Sequence, residues 1–482
     1  MPSKMPEVRP GTFGGHSAGD GGRAAEHRGL WDGLSLHLSE RKLLLLLGDI
    51  GCWIIAALIS SSVGGGFPAT LAVGLGIGTV AWLLSAWVTG GYDVDTAAST
   101  VRILPVIFKA GAATALVMFT WAFFSHGAVG RVEWMLSLLT GVELLTLWRV
   151  SYLTVFTMPL FSRRILFAGT DALNVELATM IRQVWPTQFA IVGFISADPH
   201  AGDQTGHILG DLSDAPAVAK ALRASEIIAG PDAIADTAQL ERLLTCTNQG
   251  VKVTPASILY EDLLKRVPVG QVDQRYIIDL ARGAYSDRTY LGLKRLIDIS
   301  LATLGSLIFV LLLPFIAMAI VLDSGRPIFY RQERVGQQSR VFRITKFRTM
   351  RQASEFQNEP RWAERGDSRI TRVGRVLRST RLDELPQVSS ILRGHMSVVG
   401  PRPERPQFVA ELAKQIPFYS TRHAVKPGLT GWAQIRMGYA ATVEDSRAKL
   451  EYDLFYVRRP SLLFDALIIV RTIGTVLRLR GR

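Results

Sequence analysis

The chain has 482 residues, enough for two or three domains, with 48% hydrophobic residues and a formal net charge of +13. Its mean hydropathy of +0.22 is too high for an ordinary soluble enzyme, and the excess lies in long apolar runs. Positive charge on such a chain points to anionic headgroups or phosphorylated substrates, and no basic arm interleaved with aromatics favours nucleic acid. The two distant cysteines, Cys52 and Cys246, exclude a disulfide framework or a zinc site.

Residues 1–40 are rich in Gly, Ser and charge without an early apolar core, which predicts a disordered cytoplasmic tail, not a signal peptide. Four apolar segments follow at 43–63, 68–90, 103–124 and 132–156, each near the ~20 residues of a spanning helix, so 41–160 is expected to be a four-helix transmembrane region. The uncharged, Gly-rich stretch 61–67 makes the first two a hairpin. Arg41 and Lys42 before the first helix, and Arg163 and Arg164 after the fourth, place the N-terminus and everything beyond 160 in the cytoplasm. Asp49, Glu143 and Arg149 fall within spans, where headgroup or helix–helix contact is favoured over a direct functional role.

Residues 161–275 read as a Rossmann-like cytoplasmic domain: a buried strand at 165–169, a helix at 173–183, and strands at 189–195 and 227–229. Gly169-Thr170-Asp171-Ala172-Leu173 stands where a dinucleotide fingerprint would begin but supplies one glycine of three, so a domain that binds no nucleotide is favoured. A linker is expected at 276–288. The apolar run 300–322 is long enough to span, yet basic residues flank it on both sides and Pro314 lies near its middle. These features predict a re-entrant helix that leaves by the face it enters. The segment 462–482, apolar with Arg471, Arg478, Arg480 and Arg482, reads as an amphipathic helix on the membrane surface or as a core helix with a basic end.

The stretch with the most chemistry is Leu382-Asp383-Glu384-Leu385-Pro386-Gln387, two adjacent carboxylates amid Arg372, Arg375, Arg378, Arg381, Arg393, Arg402 and Arg405. Phosphoryl transfer needs this combination, because a carboxylate can hold a divalent cation or attack phosphorus while guanidinium groups clamp phosphates. In Pro401-Arg402-Pro403 two prolines fix the backbone around one guanidinium and lower the entropy lost on clamping an anion. Lys346 and Arg348 are further candidate phosphate or headgroup contacts.

Lys294-Arg295-Leu296-Ile297-Asp298, Lys346-Phe347-Arg348-Thr349-Met350, the carboxylate stretch, Val399-Gly400-Pro401-Arg402-Pro403 and Lys426-Pro427-Gly428-Leu429-Thr430-Gly431-Trp432-Ala433-Gln434 occur in that order. The series resembles the bacterial sugar transferase family, the monotopic polyprenyl-phosphate hexose-1-phosphate transferases, in its long, exopolysaccharide-priming form. The resemblance covers residues 289–482 and implies a mostly helical catalytic domain there. It implies a UDP-sugar and undecaprenyl phosphate as substrates, undecaprenyl-diphospho-sugar and UMP as products, and magnesium as cofactor. It matches Asp383 to a covalent nucleophile, Glu384 to a metal ligand, Arg378 and Arg402 to substrate contacts, and Asp453 to a further acidic position. Arg381 departs from the small hydroxyl residue usual at its position. The implied setting is the cytoplasmic face of a bacterial inner membrane, among membrane lipids; a homodimer stays open, and a catalytically degenerate scaffold for polysaccharide assembly is the alternative.

Overall fold

The computed structural model describes residues 38–63, 69–92, 100–124, 131–156, 162–197, 208–271, 276, 288–351, 369–437 and 442–477. The tail expected over 1–40 lies outside the described residues except for 38–40, which already belong to the first helix; most of the 276–288 linker and residues 478–482 also lie outside. The described chain forms two compact units, one from 1–83 with 91–163 and one from 84–90 with 164–482.

The first unit is built from α1 (Leu38–Val63), α2 (Ala69–Val88), α3 (Thr100–Phe124) and α4 (Arg131–Phe156). Stretches Leu43–Ser62, Ile103–Phe124 and Met135–Val155 are long and apolar enough to cross a membrane, and Val73–Val88 is a shorter apolar helix. Small residues let the helices approach: a Cβ on Gly48 would stand 2.1 Å from the Trp148 ring, and one on Gly141 3.0 Å from Trp53. Outward, Phe108, Leu116, Phe119, Phe123, Leu139 and Leu147 are exposed, an apolar surface that lipid would cover.

Asp49 and Arg149, both within apolar helices, pair with each other. Arg149 Nε and Nη2 donate to Asp49 Oδ1 and Oδ2 at 3.1 and 2.5 Å. Trp82 Nε1 and Tyr92 Oη also donate to Asp49, and Arg149 Nη1 donates to the Gly91 carbonyl. Glu143 instead lies exposed on α4. Since Asp49 is 0% exposed, Asp49→Ala strands a buried guanidinium and is expected to cost about 3–5 kcal/mol. Unfolding in a denaturing-detergent titration checks this; a shift below about 1 kcal/mol would show that the pair does not hold the helices together.

In the second unit, β1 (Arg163–Ala168), α5 (Ala172–Val184), β2 (Phe189–Ile195), α6 (Ala215–Ala221), β3 (Glu226–Ala229), α7 (Pro231–Ala235), α8 (Thr237–Asn248), β4 (Lys252–Pro255) and α9 (Ala256–Leu264) form a sheet of order β2-β1-β3-β4 with helices packed on it. β1 pairs parallel with β3, and β3 with β4. Ile165, Leu166, Phe167 and Ala168 are all 0% exposed, as a strand covered on both faces requires. At the ends of β1 and β3, Asp171 caps α5 by accepting from Asn174 N, and a Cβ on Gly230 would stand 1.7 Å from Asp171 Oδ2. The Asp171 side chain thus lies at the start of α5 against the backbone of Gly230.

The remainder begins with the 37-residue α10 (Arg288–Ser324), which continues across Pro314. Then come β5 (Phe329–Val335), β6 (Val341–Phe347), α11 (Arg372–Ser379), a 3-10 turn at Leu382–Gln387, α12 (Val388–Leu392), β7 (Ser397–Val399), α13 (Pro406–Gln415), β8 (Gly428–Thr430), α14 (Trp432–Arg436), α15 (Val443–Arg458) and α16 (Leu462–Leu477). Ala302 of α10 packs with Ile344, Ile391 and Met396, and Ile316 and Ile320 pack with Phe347 and Leu377. Near its start Asp298 accepts from Ser397 Oγ and Val398 N; near its end Asp323 accepts from Val373 N. The other side exposes Leu304, Leu307, Val310, Leu311, Phe315, Met318 and Leu322. α16 turns Ile468 and Phe464 into a core with Trp432, Leu454 and Tyr456, while Leu463 and Ile473 face outward.

Candidate active site

β5 and β6 pair antiparallel with Phe329 opposite Phe347 and Tyr330 opposite Lys346. The rings of Phe329 and Phe347 stack at 5.4 Å, so strand alternation sends the neighbouring Lys346 to the other face. Thr371 caps α11 by accepting from Gly374 N, and a Cβ on Gly374 would stand 2.2 Å from the Thr349 carbonyl, so only glycine permits that approach to the chain beyond β6. α11 stops at Ser379, Arg381 adopts a left-handed conformation (φ 61°), and the 3-10 turn follows. This reversal turns Asp383 and Glu384 inward, at 8% and 6% exposure.

Glu384 is held by cations. Lys346 Nζ lies 2.6 Å and Arg402 Nη2 2.5 Å from Oε1, Arg402 Nη1 lies 3.4 Å from Oε2, and Arg381 stands at 4.0 Å. Burial alone would raise this carboxyl, but Arg402 and then Lys346 outweigh it and hold Glu384 well below the usual range. Asp383 goes the other way: burial, then the Glu384 charge, raises it against the pull of Lys346, Arg378 and Arg402. Its Oδ1 is buried without a hydrogen-bond partner. Two adjacent carboxylates are therefore driven apart, one locked as an anion and one left basic and unsatisfied, which is the division that acid–base or nucleophilic chemistry exploits.

The Pro-Arg-Pro segment is pinned at three successive carbonyls. Pro401 O accepts from Gly428 N (2.9 Å), Arg402 O from Arg422 Nη2 (3.1 Å) and Pro403 O from Arg334 Nη1 (3.0 Å). The Arg402 guanidinium is left to face Glu384 on a backbone that is already rigid. Arg378 Nε donates to Thr349 Oγ1 at 3.0 Å.

Lys346 and Arg402 thus contact Glu384, Arg378 acts on Asp383 through its charge, and Pro401 and Pro403 hold the backbone of Arg402, whereas Arg348 and Asp453 do not touch the pair. Arg348, 2% exposed, donates to the carbonyls of Ser324, Gly325 and Arg326. It satisfies the end of α10, where carbonyls lack partners, and its terminal nitrogens are spent there instead of on a substrate. Asp453 pairs with Arg422 at 2.6 Å, both side chains 2% exposed, and reaches the site only through Arg422 and the Arg402 carbonyl.

Sequence reasoning missed Arg422, Arg334, Tyr419 and Glu404. Tyr419 Oη accepts from Arg422 Nη1, and Glu404 accepts from Lys449 and lies 3.5 Å from Arg334. Burial would raise Glu404, yet Lys449 and Arg422 hold it down at about 2. A carboxyl lowered on folding contributes stability above its unfolded value of about 4.3. That contribution is lost as pH falls towards the folded value. No local pattern joins Glu404 and Lys449 across 45 positions.

Among the described residues, acceptors left open at the site include Asp383 Oδ1 and, beyond its long contact to Arg402, Glu384 Oε2. Among the described residues no group of three or more His, Cys, Asp or Glu side chains could cage a metal ion. Magnesium needs no such cage, being commonly held by one or two carboxylates with substrate phosphates and water supplying the rest. The donor set fits that mode.

The family match falls on the carboxyl-terminal part of the second unit, from the start of α10 onward. Residues 289–479 match the model of the family described as bacterial sugar transferase. The chain is 33% identical over 401 residues to an undecaprenyl-phosphate glucose phosphotransferase of Komagataeibacter xylinus, covering 79% of this chain and 72% of that protein. It is 40% identical over 217 residues, 44% of this chain and 81% of the relative, to a UDP-glucose:undecaprenyl-phosphate glucose-1-phosphate transferase of Caulobacter vibrioides. It is 41% identical over 238 residues to a UDP-N-acetylgalactosamine-undecaprenyl-phosphate N-acetylgalactosaminephosphotransferase of Aeromonas hydrophila, where 49% of this chain spans only 55% of the relative's length. With the family model on the carboxylate site and a relative matched over most of both lengths, the chain belongs to the bacterial sugar transferase family.

Proposed function

We propose that this chain transfers a hexose-1-phosphate from a UDP-sugar to undecaprenyl phosphate, giving undecaprenyl-diphospho-sugar and UMP. On this reading it primes exopolysaccharide assembly on the cytoplasmic face of the bacterial inner membrane. The observation that carries it is the asymmetric pair: Glu384 locked by Lys346 and Arg402, beside a buried Asp383 whose Oδ1 has no partner. Related proteins named for UDP-glucose and for UDP-N-acetylgalactosamine support the substrate class.

In the mechanism, an Asp383 oxygen attacks the sugar-linked phosphorus. The bond from that phosphorus to the bridging oxygen breaks, and UMP leaves with the electron pair. A phosphate oxygen of undecaprenyl phosphate then attacks the same phosphorus, and the bond to Asp383 breaks, restoring the carboxylate. Dividing one displacement into two is the advantage of a covalent nucleophile, and the raised basicity of Asp383 favours attack. Arg402 and Lys346 neutralise charge on the transferring group. Arg378 lies close enough for its charge to act on Asp383 and completes the cationic wall. Magnesium bound at Glu384 with the diphosphate would supply further charge neutralisation.

The contacts of α10 support the membrane setting. Asp298 and Asp323 lie about 38 Å apart along a straight helix, more than the roughly 30 Å hydrocarbon core. Both are nevertheless hydrogen-bonded to the same catalytic layer. A spanning helix would carry one of these contacts across the bilayer, so a helix that dips into one leaflet, bending at Pro314, suits the contacts better. In chain order the parallel-sheet region, on this reading a Rossmann-like domain, comes after the four amino-terminal helices and before the catalytic domain.

The test is UMP release from membrane preparations given magnesium, undecaprenyl phosphate and a panel of UDP-glucose, UDP-galactose and N-acetylated UDP-hexoses. Release dependent on both magnesium and the polyprenyl phosphate is expected with at least one sugar. No release from well-folded protein with any of them would turn the reading towards a non-catalytic scaffold.

A further inference from the structure

We infer that Lys426 and Arg295, flanking the turn at Gly394, form a binding site for the phosphate of an acidic phospholipid headgroup, separate from the carboxylate pair. A Cβ on Gly394 (φ 84°) would stand 3.7 Å from both Arg295 Nη2 and Lys426 Nζ, so two cations converge on one tight turn. Arg295 is fixed in place, donating to the carbonyls of Ile391 and Leu392 at 2.7 Å each. The Lys426 ammonium has no hydrogen-bond or ion-pair partner among the described residues. The acidic group that acts on it, Asp298, accepts from Ser397 and Val398. Burial, then Arg295, lowers Lys426. Arg295 and Lys294 both act on Lys426 as like charges against Asp298 alone, which leaves the pair short of an anion, and Arg393, exposed on the same turn, adds to the field.

What borders these cations selects the anion. Leu291 and Ile299, one turn either side of Arg295 on the same face of α10, are exposed by 46% and 40%. An amphiphile can place its phosphate on the cations and its acyl chains on these side chains, whereas free phosphate would use only the first half of the site. The inference rests on the reading that the exposed face of α10 lies in lipid. It does not depend on the transfer chemistry.

The experiment is native mass spectrometry of the detergent-solubilised full chain with phosphatidylglycerol or phosphatidylcholine, following the first lipid adduct. A surface cation contributes about fivefold to acidic-lipid affinity, so Lys426→Gln is expected to weaken phosphatidylglycerol by about that factor and leave phosphatidylcholine unchanged. Lys426→Arg should restore it. Unchanged phosphatidylglycerol affinity in Lys426→Gln overturns the site. Complete displacement by millimolar inorganic phosphate would assign it to free phosphate, and displacement by stoichiometric undecaprenyl phosphate would assign it to the acceptor substrate; either overturns the headgroup assignment. UMP release measured on the same preparations keeps the two readings apart. Lys426→Gln is expected to retain it with detergent-dispersed acceptor, and its absence from the parent protein would sink the enzymatic reading without touching the lipid result.

Discussion

Asp383→Asn is expected to abolish turnover, on the order of 10⁴-fold or more, the scale of deleting a covalent nucleophile, while leaving the protein folded. The amide is nearly isosteric and cannot form an acyl phosphate. Stability is expected to stay level or to rise. Burial first and Glu384 second raise the Asp383 carboxyl on folding. A group raised in this way weakens the fold once pH climbs past its unfolded value of about 3.9, and the amide removes that cost. The same shift sets the acid limb of activity in the parent enzyme. Turnover should begin to fall at a pH above the ordinary aspartate range, because the nucleophile must be ionised. Steady-state UMP release with thermal unfolding on the same samples checks both parts. Substantial turnover in Asp383→Asn would favour direct displacement by the acceptor.

The second large effect is expected at Arg422→Met. The change strands Asp453, 1% exposed, without its counter-ion and removes the donor that holds the Arg402 carbonyl. Breaking a buried pair from one side costs about 3–5 kcal/mol. The methionine fills much of the space, so the loss comes from the uncompensated carboxylate. Because the guanidinium of Arg402 loses its fixed backbone, KM for the UDP-sugar should rise in whatever fraction stays folded. Thermal unfolding in detergent with KM measured below the transition tests this; a variant as stable as the parent would show that Asp453 is neutral in the fold.

How much of this could be read in advance depends on the range of the interaction. The apolar segments, the strands at 165–169, 189–195 and 227–229, and the carboxylate pair are local patterns, and elements stand at each of them. The strand Lys252–Pro255 was not legible, because four residues with an exposed lysine and a terminal proline carry no clear alternation. Lys346 and Arg348 read alike in the sequence, as candidate phosphate or headgroup contacts, because they stand two apart in one basic run; what lies beside each is a tertiary matter that no strand period encodes. Asp453 and Arg422 are 31 positions apart, and Lys346 and Glu384 are 38. No sequence period encodes such pairs. Motif order could point to Asp453, but only packing shows that it acts through a buried arginine on the backbone of the clamp.

The central claim is that Asp383 carries the phosphosugar. Its most direct test is the intact mass of the full chain after incubation with magnesium and the active UDP-sugar, without undecaprenyl phosphate, followed by peptide mapping. The account predicts a gain of one phosphohexose on the peptide containing Asp383, discharged when undecaprenyl phosphate is added and absent from Asp383→Asn. A protein that releases UMP only when the acceptor is present, and never gains that mass, would contradict it.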